Sequence, residues 1–202
     1  MIKVNLGSGP NGITGWDNLD WGILPFISKF KAIRDILIKI NLISKDYSIE
    51  WPKIRLVDIR NKLPYKDSSV DYIYCSHVLE HFEEYEAIKI LYECRRILKT
   101  NGVLRIVLPD LNKIIAGYIN SEEFCNDFFG YHKKEFSNVK RYFIRGHQWM
   151  YDQPTFENIL KNVGFCNIKK FSIKKGNCQD IDKLDYEGHQ KISMYFECQK
   201  SS

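Results

Sequence analysis

Val4-Asn5-Leu6-Gly7-Ser8-Gly9-Pro10 is a short apolar-leaning strand that runs into a Gly-x-Gly turn, and a carboxylate, Asp20, follows soon after. Glycine lacks a Cβ and tolerates unusual φ/ψ, so such a turn lets a ligand approach the backbone closely. Gly7, Gly9 and Gly12 formally satisfy the Gly-x-Gly-x-x-Gly pattern of dinucleotide sites. That reading needs a helix to begin at the loop, so that its N-terminus meets a pyrophosphate. Here Pro10, Asn11, Gly12 and Gly15 oppose a helix. The acidic partner of a dinucleotide site lies about 20 residues further on, whereas Asp20 comes eight residues after Gly12. A phosphate-binding P-loop is excluded because no Gly-Lys-Ser/Thr follows.

Outward from this loop the chain alternates between strand and helix patterns. Strands are predicted at Ile2 to Leu6, Trp16 to Asp20, Ile54 to Val57, Val70 to Cys75 and Val103 to Leu108, with two last strands at about 165–173 and 192–198. Val103 to Leu108 is nearly unbroken apolar sequence, as suits the buried centre of a parallel sheet. Helices are predicted at 25–43, at 83–99 with Ile88, Leu91, Cys94 and Leu98 at helical spacing, and within 111–130. The helix at 154–163 has Asp152 as N-cap, Pro154 in its first turn, one face of Phe156, Ile159, Leu160 and Val163, and Gly164 at C′. This alternation predicts a three-layer α/β fold. Ligands of such sheets lie beyond the carboxyl ends of the strands, at a switch in strand order. Gly7-Ser8-Gly9, Asp20, Asp58, Ser76-His77 and Pro109-Asp110 all fall at that edge.

The 202 residues, 44% hydrophobic and 27% charged, have ordinary globular composition. A net charge of +5 is too mild to imply nucleic acid, and no basic run interleaves with aromatics in an RNA-binding pattern. The six cysteines include no Cys-x-x-Cys and are irregularly spaced, which predicts no metal site and reduced thiols in a cytoplasmic protein. No signal peptide and no membrane-spanning stretch is read. A cofactor without phosphates, such as S-adenosylmethionine, fits the glycine loop best. It needs backbone approach for its amino-acid end, a carboxylate for two ribose hydroxyls and polar groups at the adenine edge.

Three blocks resemble the class I S-adenosylmethionine-dependent methyltransferases. Val4 to Pro10 with Gly15-Trp16-Asp17-Asn18-Leu19-Asp20 is similar to their glycine motif and the acidic end of strand two. Asp58-Ile59-Arg60-Asn61-Lys62-Leu63-Pro64-Tyr65, Ser69-Val70-Asp71-Tyr72-Ile73 and His77-Val78-Leu79-Glu80-His81 together resemble the type 11 signature. Arg95-Arg96-Ile97-Leu98-Lys99 with Gly102-Val103-Leu104 is similar to the helix and strand that follow, and His147 to Phe165 to the family's last helix. The resemblance implies a Rossmann-like domain over 1–202 with a mostly parallel seven-stranded sheet. It implies a helical insertion at about 21–53 and a helical acceptor-side segment at about 111–150. It places Gly7, Ser8 and Gly9 at the methionine end of S-adenosyl-L-methionine, Asp20 on the ribose hydroxyls, Asp58 and Ile59 at adenine, and Ser76 and His77 beside the sulfonium and the acceptor. The chain departs from the family in starting at strand one, in its short loop between strands one and two, and in the 21–53 insertion.

Methyl transfer is an in-line displacement at an activated carbon, so the protein must align the reactants and exclude water. A hydroxyl acceptor must also lose a proton, and a histidine is the natural base near neutral pH. His147 is the first candidate, followed by His77 and Asp110; His81 reads as structural. By analogy with the family, the expected acceptor is a small molecule or glycan, with a sugar hydroxyl in cell-surface polysaccharide synthesis favoured and S-adenosyl-L-homocysteine as product. A catalytically inactive cofactor-binding or scaffold protein is the competing reading. In 25–43 the stripe Phe30, Ile33, Leu37 and Ile40 beside Lys29, Lys31, Arg34 and Lys39 is read as a lid helix packed on the domain, or alternatively as a peripheral membrane contact.

Overall fold

The computed structural model describes residues 1–43, 45–124 and 146–201. Seven strands form one sheet: β1 (Lys3–Leu6), β2 (Asp17–Asp20), β3 (Ile54–Leu56), β4 (Val70–Ser76), β5 (Leu98–Pro109), β6 (Phe165–Phe171) and β7 (Ser193–Lys200). Their order is β3-β2-β1-β4-β5-β7-β6. The first five strands are mutually parallel, and β7 is antiparallel to both β5 and β6. This is the mostly parallel, seven-stranded α/β arrangement that the sequence predicts. Strand order reverses between β1 and β4, which puts the topological switch point at the ends of those two strands.

Period-two patterning explains which side each residue faces. Ile73 and Cys75 of β4, Leu104, Ile106 and Leu108 of β5, and Met194, Phe196 and Cys198 of β7 join one large core. The helices α3 (Glu84–Ile97) and α5 (Gln153–Val163) contribute Ala87, Ile90, Leu91, Cys94, Phe156, Leu160 and Val163 to it. Tyr74, Val103, Val107 and Tyr195 point to the opposite face, where Trp16, Cys178 and the short helix α6 (Ile181–Leu184) cover them with a thinner layer. Helix α5 keeps its predicted ends. Asp152 accepts from the Thr155 N–H at 2.9 Å, and Gly164 adopts a left-handed φ of 95°.

On the second face β5 carries a charge inside an otherwise apolar strand. Arg105 is fully buried and stands directly opposite Glu197 of β7. It reaches Asp185 at 2.5 Å, Glu197 at 3.4 Å and the Lys175 carbonyl at 2.7 Å. Glu197 also accepts from the N–H groups of Asn177 and Cys178, and Asp185 from that of Lys174. These bonds hold the 174–185 loop against the sheet.

Several boundaries differ from the sequence reading. The 25–43 helix is two pieces, α1 (Ile23–Ile27) and α2 (Lys31–Lys39), broken at Ser28 to Phe30. Arg34 is not part of an exposed basic face; it is buried and donates to the Ile49 carbonyl at 3.1 Å. Strand β5 begins at Leu98, where α3 ends, rather than after Gly102. In 111–130 the first helix, α4, spans only Leu111–Ala116, and residues 125–145 lie outside those described. The β1–β2 crossover contains no α-helix, only a tight turn at Gly9–Asn11, as its Pro and Gly residues predict. Cys75, Cys94, Cys166, Cys178 and Cys198 are free thiols, and Cys125 lies outside the described residues. Among the described residues no helix is long and apolar enough to cross a membrane.

Candidate active site

The carboxyl ends of β1, β2, β3 and β4 meet at a cleft of about 530 Å³. Of the predicted cofactor residues, Gly7, Gly9, Asp20, Asp58, Ile59 and His77 line it. Ser8, in the same turn, and Ser76, the last residue of β4, are not part of the wall; Ser8 is buried, with its N–H on the Leu19 carbonyl at 3.0 Å.

The two turn glycines serve different purposes. Gly7 has a φ of 62°, and a Cβ there would lie 2.4 Å from Val78 Cγ2. Gly7 is therefore required by the close packing of protein on protein. Gly9 has a φ of 51°, and a Cβ there would meet no atom within 4 Å. Gly9 also lines the cleft, so a ligand can reach the backbone there. The Gly9 N–H donates to Asp20 Oδ2 at 2.7 Å, and the Trp21 N–H donates to Oδ1 at 2.7 Å. Burial raises the Asp20 carboxyl above its ordinary value, against the pull of these two N–H groups. Each oxygen keeps a further lone pair for a ribose hydroxyl.

Asp58 is clamped by Arg60, whose Nε lies 2.9 Å from Oδ1 and whose terminal nitrogen lies 2.7 Å from Oδ2. The guanidinium beside it holds the Asp58 carboxyl below the usual range. Trp21, Tyr47, Trp51 and Phe82 supply apolar and aromatic wall that the sequence reading did not single out. Tyr47 and Trp51 stack with ring centroids 5.8 Å apart. Both lie in the 21–53 segment, whose Trp content was the available signal.

His77 has a φ of 52°, and both its ring nitrogens are engaged. Nε2 lies 2.8 Å from Ser193 Oγ, and Nδ1 lies 3.1 Å from Glu80 Oε1. The Nδ1 contact is an ion-pair approach without the alignment of a good hydrogen bond, since neither Glu80 oxygen has a hydrogen-bond partner. His189 packs on the His77 ring with centroids 4.0 Å apart, and burial, with the neighbouring His77, pushes its pKa down to about 4. Glu80 is fully buried. Burial disfavours its charged form, yet His77 and His81 outweigh this and hold the carboxyl below its ordinary value.

Of the acceptor-side candidates, His77 lines the wall and His147 and Asp110 do not. His147 does not line the cleft; its ring lies 5.1 Å from that of His81, which does. The loop carrying His147 is tied down by the Glu80 carbonyl, which accepts from the N–H groups of Gln148 and Trp149. Asp110 is buried and caps α4, accepting from the Asn112 N–H at 3.2 Å. Sequence reasoning missed Glu80, His189 and Ser193 as neighbours of this site. Glu80 lay inside the recognised His77 to His81 block, whereas no local signal marks the other two.

The sequence model of a family described as "Methyltransferase domain" matches residues 39–106. An uncharacterized protein of Methanocaldococcus jannaschii is 35% identical over 94 residues, covering 46% of this chain and 37% of that protein, so the match spans little over a third of the relative's length. Among solved structures, a chain of the complex between the Haloferax volcanii Trm112 methyltransferase activator and the putative methyltransferase superposes with a TM-score of 0.58 and 13% identity, covering 100% of this chain and 82% of that one. Phosphoethanolamine N-methyltransferase 2 of Haemonchus contortus, in complex with S-adenosyl-L-methionine, superposes with a TM-score of 0.55 and 14% identity, over 100% of this chain and 49% of that one. At such identities these structures speak for the fold, and the family match speaks for the signature block. Residues 39–106 thus match a methyltransferase-domain family model, and the whole chain has the fold of the solved methyltransferase structures.

Proposed function

We infer that the protein transfers a methyl group from S-adenosyl-L-methionine to a hydroxyl of a small-molecule or glycan acceptor, releasing S-adenosyl-L-homocysteine. The observation that carries this reading is the cleft at the switch point, where Gly9 leaves open space beside the backbone and Asp20 stands next to it. These residues fit the donor: Gly7, Ser8 and Gly9 at its methionine end, Asp20 on its ribose hydroxyls, Asp58 and Ile59 at its adenine edge. The bound donor supplies a methyl group activated by a positive sulfur. The chain's part is to fix the acceptor in line and keep water away. His77 has both nitrogens engaged and Asp110 is used as a helix cap, which leaves His147 as the acceptor-side residue that their geometry favours. Residues 111–150 are assigned to the acceptor side, although 125–145 lie outside those described.

Calorimetry with S-adenosylmethionine tests the donor. Asp20→Asn removes the charge from bonds worth roughly 1.5–3 kcal/mol each, so affinity should fall about 10- to 100-fold. No binding by the native protein would overturn the reading. Turnover across an acceptor panel then separates an enzyme from a scaffold, and His147→Ala should keep donor binding while losing turnover.

A second reading concerns location. Phe26, Phe30, Ile33, Ile36 and Ile40 are exposed along α1, α2 and the residues that flank α2, with Ile36 and Ile40 at 59% and 62%. Lys29, Lys31 and Lys39 are exposed beside them. An apolar face rimmed by lysines suits an anionic membrane surface, where a lipid-linked acceptor would be met. Co-sedimentation with acidic vesicles should be salt-sensitive and lost when these lysines become glutamates; vesicle binding unaffected by both would reject the contact.

A further inference from the structure

Glu80, His81 and His147 bring one carboxylate and two imidazoles together beside the cleft, whose wall includes His81. Their donor atoms all lie within 4.8 Å of one another. Glu80 has no solvent exposure, and neither carboxylate oxygen has a hydrogen-bond partner. His81 Nδ1 is likewise buried without one. A buried carboxylate left without bonds is strongly destabilising, and native proteins seldom leave such groups unsatisfied. The single close approach of His77 satisfies one oxygen in part. The loop that brings His147 here is fastened to the backbone of Glu80 itself, so two of the donors are held by one anchor.

We propose that Glu80, His81 and His147 form a binding site for a divalent transition-metal ion, with His81 shared between that site and the cofactor cleft. Ligands on opposite sides of such an ion lie about 4.2 Å apart, twice a metal–nitrogen distance of about 2.1 Å. Small ring rotations therefore close the present spacing. Mixed imidazole and carboxylate donors select Zn²⁺, Mn²⁺, Fe²⁺, Co²⁺ or Ni²⁺ over Ca²⁺ or Mg²⁺. The cysteine spacing predicted no metal site, and none of these three donors is a cysteine. Three protein ligands leave coordination positions open, and an ion there acts as a Lewis acid toward an acceptor oxygen. The site deepens the assignment of His147 but does not depend on methyl transfer, because it is measured without donor or acceptor.

The test uses full-length protein stripped with a chelator and titrated with Co²⁺ by calorimetry and visible spectroscopy. The expected result is one equivalent bound, with ligand-field bands and no thiolate charge-transfer band. His147→Ala and His81→Ala should each weaken binding at least tenfold while circular dichroism stays native, and Cys166→Ser should leave it unchanged. The proposal is overturned if the native protein binds none of Co²⁺, Zn²⁺ and Mn²⁺ at millimolar concentration. A thiolate spectrum, or either folded histidine variant binding as tightly as the native chain, also overturns it. Should both variants unfold, the stoichiometry and spectrum of the native protein decide alone.

Discussion

Gly7→Ala and Gly9→Ala separate the two jobs of the opening turn. Both residues have positive φ, so each alanine incurs the left-handed penalty of roughly 1–2 kcal/mol. Each also gains the same small unfolded-state entropy term, which cancels between them. Only Gly7 faces a clash, with its new Cβ 2.4 Å from Val78 Cγ2. Val78 is buried in the main core, so it has little room to yield, and overpacking of this kind costs about 1–3 kcal/mol. Gly7→Ala should therefore destabilise by about 2–5 kcal/mol and Gly9→Ala by about 1–2 kcal/mol. With a urea slope of about 2 kcal/mol/M, the midpoints should differ by roughly 0.5 M or more. Truncating the clashing partner supplies the internal check. In the double variant Gly7→Ala, Val78→Ala the costs should fall short of additivity by about 0.5–3 kcal/mol. Titration with S-adenosyl-L-homocysteine should show the reverse ranking, with folded Gly9→Ala losing affinity because its methyl enters the open side. Equal midpoints for the two single variants, together with an additive double variant, would refute the division of labour.

Two further outcomes follow from buried charge. Arg105→Ala leaves Asp185 and Glu197 without their countercharge and should cost about 3–5 kcal/mol. That corresponds to a melting point lower by roughly 6–20 °C in a chain of this length, and a loss under about 1 kcal/mol in urea unfolding would show the network to be dispensable. His189 is held neutral in the folded protein, with its pKa near 4 rather than the ordinary 6.5. Between those values the unfolded chain binds more protons than the folded one. Stability from this group is present above about pH 6.5 and is lost as pH falls toward 4, by up to about 1.4 kcal/mol per pH unit. His189→Phe keeps a ring against His77 and should flatten that slope in unfolding measured across pH 4–7; an unchanged slope would assign it to other groups.

What could be read ahead was what local chemistry decides. The Asp152 cap, Pro154, the apolar face and Gly164 all lie within a few turns of one another, so α5 was legible to within one residue. The strand-end positions of Gly9, Asp20, Asp58 and His77 followed from alternation and the switch-point rule. The break at Ser28 to Phe30 was hidden because both α1 and α2 continue a helical apolar spacing. Arg105 was unreadable because its partners lie 80 and 92 residues away and meet it only through the β7 insertion. Glu80 looked like one more polar residue ahead of a helix; its burial depends on the loop that returns at Gln148. His189 and Ser193 approach His77 for the same reason, from beyond one hundred positions along the chain.

The placement of β7 has a consequence for synthesis. It is last in sequence among the strands of the described residues, yet it sits between β5 and β6 rather than at a sheet margin. Until Ser193–Lys200 has left the ribosome, β5 has no partner on that side and β6 has none at all. A nascent chain thus displays an apolar strand from Val103 to Leu108 with a row of unpaired amides, the kind of edge that recruits other chains. Only when Ser193–Lys200 arrives can Arg105 meet Glu197 and β6 be joined to the rest of the sheet. Pairing of β7 is therefore the step that completes this sheet, and products stalled before it are where chaperones and proteases should find their substrate.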